Sequence, residues 1–192
     1  MFASYYYNYK KEFIETIDSL DFEVIDKIYK TMEDARKNGN QIFLIGNGGS
    51  ASSASHWACD FIKGVNAGES IRYRLMALTD NIPLITAYGN DVEFEEIFVE
   101  QLKNFLNPGD IVIGLSVSGA SENIVRAFQY AKDNGAVVIS LIGSQEGRMK
   151  DFSDLSLIIS SNNYGVVEDA HMYVNHVISQ YIKQTNQQKV TN

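Results

Sequence analysis

The histidines of this 192-residue chain are the first candidates for chemistry, because the chain has only three of them. His56 and Asp60 are four residues apart, so on a helix their side chains share one face at a separation of about 6 Å. That geometry suits a metal ion or an acid/base pair. It equally suits a surface His–Asp pair without a function, and the pair taken alone leaves both interpretations open.

The closing segment of the chain carries Glu168, His171 and His176. His171 follows Glu168 by three residues, a spacing that lets the two side chains meet on a helix surface. Glu168 and His176 would lie roughly 12 Å apart along the axis, which is too far for one metal ion bound to one straight helix. If both belong to one site, they come from different subunits, so the spacing points to an oligomer with active sites at its interfaces. The alternative is the polar face of an amphipathic helix.

Two segments rich in glycine and serine lie directly between an apolar run and a helical stretch. They read GNGGSASS at 46–53 and SVSGASEN at 116–123. Glycine lets a backbone approach a ligand closely, and the free N–H groups at a helix start favour an anion. Three serines exceed what capping requires, so Ser116, Ser118 and Ser121 favour phosphate binding. For the glycine segment, a ligand contact and a tight turn capped by Ser50 stay equally open.

Apolar runs of strand length alternate with helical stretches after residue 40. The runs are Ile42–Ile45, Tyr73–Leu78, Ile111–Leu115, Val137–Ile142 and Leu155–Ile159, and the helical stretches are Ser50–Ile62, Val92–Phe105, Ser121–Asn134 and about Val166–Ile182. Continuous apolar strands are buried on both faces. Their alternation with helices implies parallel pairing through right-handed crossovers, hence an α/β fold with three αβα layers.

A single domain over residues 1–192 is expected, since the sequence contains no linker or internal repeat. Helical spacing of apolar residues from Phe13 to about Asn38 predicts a lead-in of one or two helices within 1–40, with Asn38-Gly39 as its stop. The αβα core and the closing helix would then occupy 41–186, followed by a tail at 187–192.

Composition excludes several classes of protein. With 45% hydrophobic residues and 11% aromatics the chain should fold unaided, and its net charge of −8 argues against nucleic acid or an anionic membrane as a partner. One cysteine cannot form an internal disulfide, which suits a reducing compartment. The N-terminal residues lack the apolar core of a signal peptide, and no stretch has the length of a membrane span. We therefore expect a cytoplasmic protein.

Four segments together resemble the sugar isomerase (SIS) domain, most closely the bacterial phosphoheptose isomerases. They are GNGGSASSASHWACDF at 46–61, TAYGND at 86–91, SVSGASENI at 116–124 and EDAHMYVNH at 168–176. The resemblance implies a five-stranded parallel sheet and a homotetramer with one zinc ion per subunit. It also implies interconversion of sedoheptulose 7-phosphate and D-glycero-D-manno-heptose 7-phosphate through an enediolate, in heptose biosynthesis for lipopolysaccharide, capsule or a related glycan.

The same resemblance implies roles for individual residues. Substrate contacts fall on Asn47, Gly48, Gly49, Ser50, Asn90, Asp91, Ser116, Ser118, Ser121 and Glu168. The zinc site falls on His56, Asp60, Glu168 and His176. Asp60 is also expected to face His176 of another subunit as the acid/base pair for proton transfer.

Three positions depart from the family's usual residues. Asp60 stands where the family has Glu, Glu168 where it has Gln, and Val117 where it has Thr. Because Asp is one methylene shorter, Glu168 is a candidate replacement base. Two other functions stay open: a non-catalytic SIS-domain protein that senses phosphosugars or assists assembly, and an isomerase of another sugar phosphate. The histidines and their carboxylates favour an enzyme, since a sensor needs only the serine segment.

Overall fold

The computed structural model describes residues 1–66, 68 and 71–190. They form five strands, β1 Gln41–Gly46, β2 Arg74–Ala77, β3 Ile111–Ser116, β4 Val137–Gly143 and β5 Leu155–Ile159. The strands make one parallel sheet in the order β2-β1-β3-β4-β5, with Ile42 of β1 opposite Ile111 of β3. The predicted five-stranded parallel sheet is confirmed.

Helices flank the sheet on both sides. Within the described residues they are α1 Phe2–Asp18, α2 Phe22–Asn38, α3 Gly49–Cys59, α4 Ile82–Asp91, α5 Val99–Phe105, α6 Glu122–Asp133, α7 Met149–Phe152 and α8 Tyr164–Val190. One face of the sheet packs on α2, α3 and α8 around Trp57, Phe61 and Val174. The other packs on α5, α6 and α7 around Phe98, Phe128 and Met149. The predicted three αβα layers are therefore present.

The helical lead-in is two helices and begins earlier than its apolar spacing predicts. Asp21 separates the two and caps α2 by accepting hydrogen bonds from the N–H groups of Glu23 and Val24. The expected stop is confirmed, because Gly39 ends α2 in the left-handed conformation at φ 74°. Of the residues of α1, Thr16 alone is buried, so an apolar stripe could not reveal the first turns of this helix.

The segment between β2 and β3 differs from its prediction of one helix at Val92–Phe105. A helix that the sequence analysis missed, α4, ends at Asp91, and Glu93 then adopts an extended conformation before a 3₁₀ turn at Phe94–Glu96. The sequence of α4, IPLITAYGND, contains threonine and glycine, which are poor helix formers, and none of its residues is buried. Its proline lies in the first turn, where proline is tolerated. Asn81 starts this helix by accepting a hydrogen bond from the Leu84 N–H.

Two further predicted helices have different ends. The predicted helix Ser50–Ile62 is α3 followed by a π-helical segment at Asp60–Val65, so Asp60 lies where the backbone hydrogen-bond pattern changes. The closing helix extends well beyond Ile182, and residues 187–190 of the expected tail belong to α8. Residues 191–192 of that tail lie outside the described residues. None of the described helices is long and apolar enough to span a membrane.

Candidate active site

The order of the strands creates a crevice between β1 and β3. The chain leaves β1 towards β2 on one side, and β4 and β5 follow β3 on the other, so the connections diverge at the carboxyl ends of β1 and β3. Ligands of open parallel sheets bind at such a reversal. The glycine segment follows β1 and the serine segment follows β3, so both reach the crevice.

A cavity of about 250 Å³ occupies this crevice, and we call it the serine pocket. It is lined by Asn47, Gly48, Gly49, Ser50, Leu115, Ser116, Val117, Ser118, Ser121, Tyr164 and Glu168. The structure thus brings together the predicted substrate-binding residues of both segments. It does not bring Asn90 and Asp91 to this pocket: they are exposed at the end of α4, where the Asn90 amide donates to the Asp91 carboxylate at 2.7 Å.

The serine segment is shaped by two of its own hydroxyls. Ser116 Oγ accepts the Gly119 N–H at 3.0 Å, and Ser118 Oγ accepts the Ala120 N–H at 3.2 Å. Ser121 occupies the N-cap of α6 without a side-chain capping bond. Among the described residues none of these three hydroxyls donates a hydrogen bond, so all three can donate to an anion at the start of α6.

Asn47 is oriented by a residue that the sequence analysis did not single out. Its amide exchanges two hydrogen bonds with the buried amide of Asn123 on α6, at 2.9 and 3.0 Å. This pair links the glycine segment to the helix that follows the serine segment. The position of Asn123 within the quoted motif SVSGASENI was the available signal, but only the structure shows its partner.

Glu168 reaches the serine pocket from α8 and lies directly over Gly49. A Cβ atom on Gly49 would collide with the Glu168 carboxylate, so the glycine makes room for this side chain. Burial raises the pKa of Glu168, and the nearby Asp169 raises it further. A carboxyl group thus faces the same cavity as the three serines.

His56, Asp60 and His176 form a second group, the histidine cluster. His56 Nε2 and His176 Nε2 lie 3.5 and 3.6 Å from Asp60 Oδ2, and the two imidazole rings meet edge to face with centroids 5.4 Å apart. One donor atom from each residue lies within 4.8 Å of the others. The expectation that His176 faces Asp60 from another subunit is wrong, because α8 packs against α3 and the π-helical segment of the same chain.

The cluster opens on solvent and on a cavity of about 360 Å³. That cavity is lined on the far side by polar residues of α8, Ser179, Gln180, Lys183 and Gln184. The side chains of His56 and His176 are 53% and 44% exposed, which leaves room for a ligand. Two imidazoles and a carboxylate are a ligand set that suits zinc.

Asp60 has one further partner that the sequence analysis missed. The amide of Asn175, fully buried on α8, donates from Nδ2 to Asp60 Oδ2 at 2.6 Å. A polar residue between the apolar Val174 and the predicted ligand His176 was the only signal in the sequence.

Glu168 does not lie with the histidine cluster of its own chain. It lines the serine pocket instead, because it precedes His176 by eight positions on α8, which corresponds to roughly 12 Å along the helix axis. Two separate groups of candidate residues therefore lie along α8 in one chain: the serine pocket at Glu168 and the histidine cluster at His176.

Comparison with known proteins identifies what this arrangement resembles. The sequence model described as the SIS domain matches residues 5–143. The phosphoheptose isomerase of Aliarcobacter butzleri is 36% identical over 160 residues, covering 83% of this chain and 84% of that protein. That of Nitratiruptor sp. is 33% identical over 177 residues, covering 92% and 94%. A solved phosphoheptose isomerase from Francisella tularensis superposes with a TM-score of 0.85 at 29% identity, over 95% of this chain and 96% of that one.

Proposed function

The chain belongs to the SIS domain family, and we propose that it is an aldose–ketose isomerase acting on heptose phosphates. The reaction is the interconversion of sedoheptulose 7-phosphate and D-glycero-D-manno-heptose 7-phosphate, which supplies heptose for lipopolysaccharide, capsule or a related glycan. The observation that carries this proposal is a pocket of free serine hydroxyls at a helix N-terminus in a chain that also assembles a carboxylate with two imidazoles. The relatives named phosphoheptose isomerase support the reaction.

The serine pocket binds the phosphate in this proposal. Ser116, Ser118 and Ser121 donate to its oxygens, and the start of α6 adds the positive end of a helix dipole. Asn47, held by Asn123, and the glycine segment contact the sugar next to it. Anchoring the phosphate fixes which carbons of the substrate reach the reacting groups.

The histidine cluster performs the proton transfers. From the ketose, Asp60 removes a proton from C1 while His176 donates a proton to the carbonyl oxygen on C2, which gives the enediol. His176 then takes the proton from the oxygen on C1, and the Asp60 carboxyl group returns a proton to C2, so that the aldose carbonyl forms at C1. The spacing of the two side chains, 3.6 Å between Asp60 Oδ2 and His176 Nε2, allows both to approach one substrate. A phosphosugar sensor has no use for such a pair, so the cluster favours the enzyme over the non-catalytic alternative.

A zinc ion fits the same residues. His56, Asp60 and His176 offer three donor atoms within 4.8 Å, with open space beside them. Glu168 of a neighbouring subunit would complete the proposed ligand set. When bound, zinc supplies a positive charge that stabilises the oxyanion of the enediolate.

The division of the candidate residues within one chain supports an oligomer with shared sites, and the resemblance to the phosphoheptose isomerases makes a homotetramer our proposal. The serine pocket with Glu168 and the histidine cluster occupy different stretches of α8, so a complete site combines the pocket of one subunit with the cluster of another. We place the protein in the cytoplasm, in keeping with its single free cysteine.

A direct assay tests the reaction. Purified protein is incubated with sedoheptulose 7-phosphate and with a panel of other ketose phosphates, and aldose formation is followed by chromatography. Aldose from the heptulose phosphate, with incorporation of solvent deuterium at C2, is expected. Turnover of a different ketose phosphate in preference would reassign the substrate, and binding without turnover of any would leave a sensor.

A further inference from the structure

Asn175 has no assigned role, yet its side chain is fully buried against the histidine cluster. Its Nδ2 donates to Asp60 Oδ2 at 2.6 Å, a short bond to a charged acceptor. Its Oδ1 has no hydrogen-bond partner among the described residues. The hydrogen bond to Asp60 is therefore the one side-chain hydrogen bond that this amide makes.

The chemistry of Asp60 determines the orientation of the Asn175 amide. A carboxylate only accepts hydrogen bonds, so the nitrogen of Asn175 and not its oxygen must face Asp60. Because α8 packs against α3 and the π-helical segment, the amide of Asn175 is fully enclosed by the protein. Asn175 thus supplies a fixed donor at a fixed place.

The Asp60 carboxylate has few other hydrogen-bond donors around it. Both imidazoles lie 3.5 Å or more from its carboxylate, beyond the range of a normal N–H···O hydrogen bond. The contact with Asn175 is the only hydrogen bond to the carboxylate from the described residues. It binds the oxygen Oδ2, which leaves Oδ1 free.

We propose that Asn175 is the positioning residue that holds the Asp60 carboxylate beside His56 and His176. The proposal rests on the isomerase function only for its effect on turnover, since the geometry concerns the free protein. Because Asn175 and His176 are consecutive on α8, one helix places both the donor that fixes the base and the imidazole that works with it. Asp60 is thereby held at a defined place at the end of α3, where the helix changes to a π-helical segment.

The test compares Asn175→Leu, which removes the donor at similar volume, with Asn186→Leu. Asn186 is also a buried asparagine of α8, further along the helix, and it does not contact Asp60. In Asn175→Leu we expect kcat to fall about ten- to a hundred-fold with KM nearly unchanged, because the base is misplaced while the phosphate pocket is intact. Asn186→Leu should keep the wild-type kcat.

A second measurement does not depend on activity. The chain has only three histidines, so their ring signals are readily assigned by nuclear magnetic resonance. Loss of the fixed carboxylate should move the ring signals of His56 and His176 in Asn175→Leu, as in Asp60→Asn, and leave them in place in Asn186→Leu. Unmoved ring signals together with a wild-type kcat would overturn the proposal.

If Asn175→Leu does not fold, Asn175→Ala removes the same donor without adding bulk, and it should show the same losses. Wild-type behaviour of that variant would contradict the positioning role. If the wild-type protein isomerises no ketose phosphate, the proposed function fails, and the ring signals alone then support or overturn the role of Asn175.

Discussion

His176 Nε2 lies 3.6 Å from Asp60 Oδ2 within one chain, on a surface where α8 crosses the end of α3. Two turns earlier on α8, Glu168 points instead into the serine pocket over Gly49. One helix thus contributes a residue to each of the two groups that we assign to catalysis. The consequence is that the carboxylates Asp60 and Glu168 can be tested separately as the base.

Asp60→Asn should lower turnover by a factor of roughly 10² to 10⁴, which is the usual contribution of a positioned acid or base. Glu168→Gln deletes the other carboxylate but keeps its shape over Gly49, so it should turn over nearly normally. Steady-state kinetics of both variants checks this. Collapse in Glu168→Gln with near-normal Asp60→Asn would transfer the role of base to Glu168.

A shared active site predicts complementation between two defective proteins. Asp60→Asn damages the histidine cluster and Ser121→Ala damages the serine pocket. If each site takes its cluster and its pocket from different subunits, mixed oligomers refolded from equal amounts should regain intact sites at about a quarter of all positions. Activity at low substrate concentration measures this. No recovery, or a monomer by light scattering, would contradict the shared site.

The sequence predicted the sheet well, because the central strands β1, β3 and β4, which are buried on both faces, are continuous apolar runs. At the edge strand β2, Arg74 and Met76 are exposed. All five runs, such as Ile111–Leu115 at β3, became parallel strands. It missed α4, which contains the poor helix formers Thr86 and Gly89 and has no buried residue that would give an apolar stripe. The local signals for this helix were its start, with Asn81 as N-cap and Pro83 in the first turn.

For the candidate site, spacing along one helix was informative and spacing between helices was not. The four-residue interval predicted that His56 and Asp60 share a face, and their 3.5 Å contact confirms it. The placement of His176 in another subunit was wrong, because α8 packs on α3 of the same chain, and spacing along the sequence cannot show which helices pack together. Asn175 was missed for the same reason, since its importance lies in a partner far away in the sequence.

Metal analysis should find about one zinc per chain after mild purification, since three donors with open space beside them match a catalytic zinc site. His56→Ala removes one proposed zinc ligand and leaves both residues of the proposed acid/base pair, Asp60 and His176, unsubstituted. This variant should lose most of the zinc. Activity should disappear with a chelator and return with zinc. Full activity of the metal-free protein would make the zinc incidental to catalysis.

Ser121→Ala should weaken phosphosugar binding by about 1.5–3 kcal/mol, the cost of a lost hydrogen bond to a charged group, so KM should rise roughly ten- to a hundred-fold. Ser121 is chosen because its hydroxyl makes no capping bond that the substitution would break. Ser4→Ala serves as the control, because Ser4 is exposed on α1 and its hydroxyl makes no hydrogen bond among the described residues. Unchanged affinity in Ser121→Ala would assign the serine segment another role.

His171 should make the stability of the protein depend on pH. It is fully buried, and its Nε2–H donates to the Leu141 carbonyl at 3.1 Å, while Nδ1 has no partner among the described residues. Burial lowers the pKa of His171 to about 4, against the opposing effect of that hydrogen bond. The imidazole is therefore neutral in the folded protein at neutral pH.

Below about pH 6.5 the unfolded chain binds a proton at this histidine that the folded chain does not, so stability falls as the pH is lowered from 6.5 towards 4. Between about pH 7.5 and pH 5 the free energy of unfolding should drop by about 2 kcal/mol on this account. Urea unfolding of the wild type and of His171→Gln at both pH values measures how much of the drop in the free energy of unfolding is due to His171. The variant keeps a donor for the Leu141 carbonyl and retains the exposed His56 and His176, so it should show a smaller drop. An equal drop in both proteins would mean that other groups carry the pH dependence.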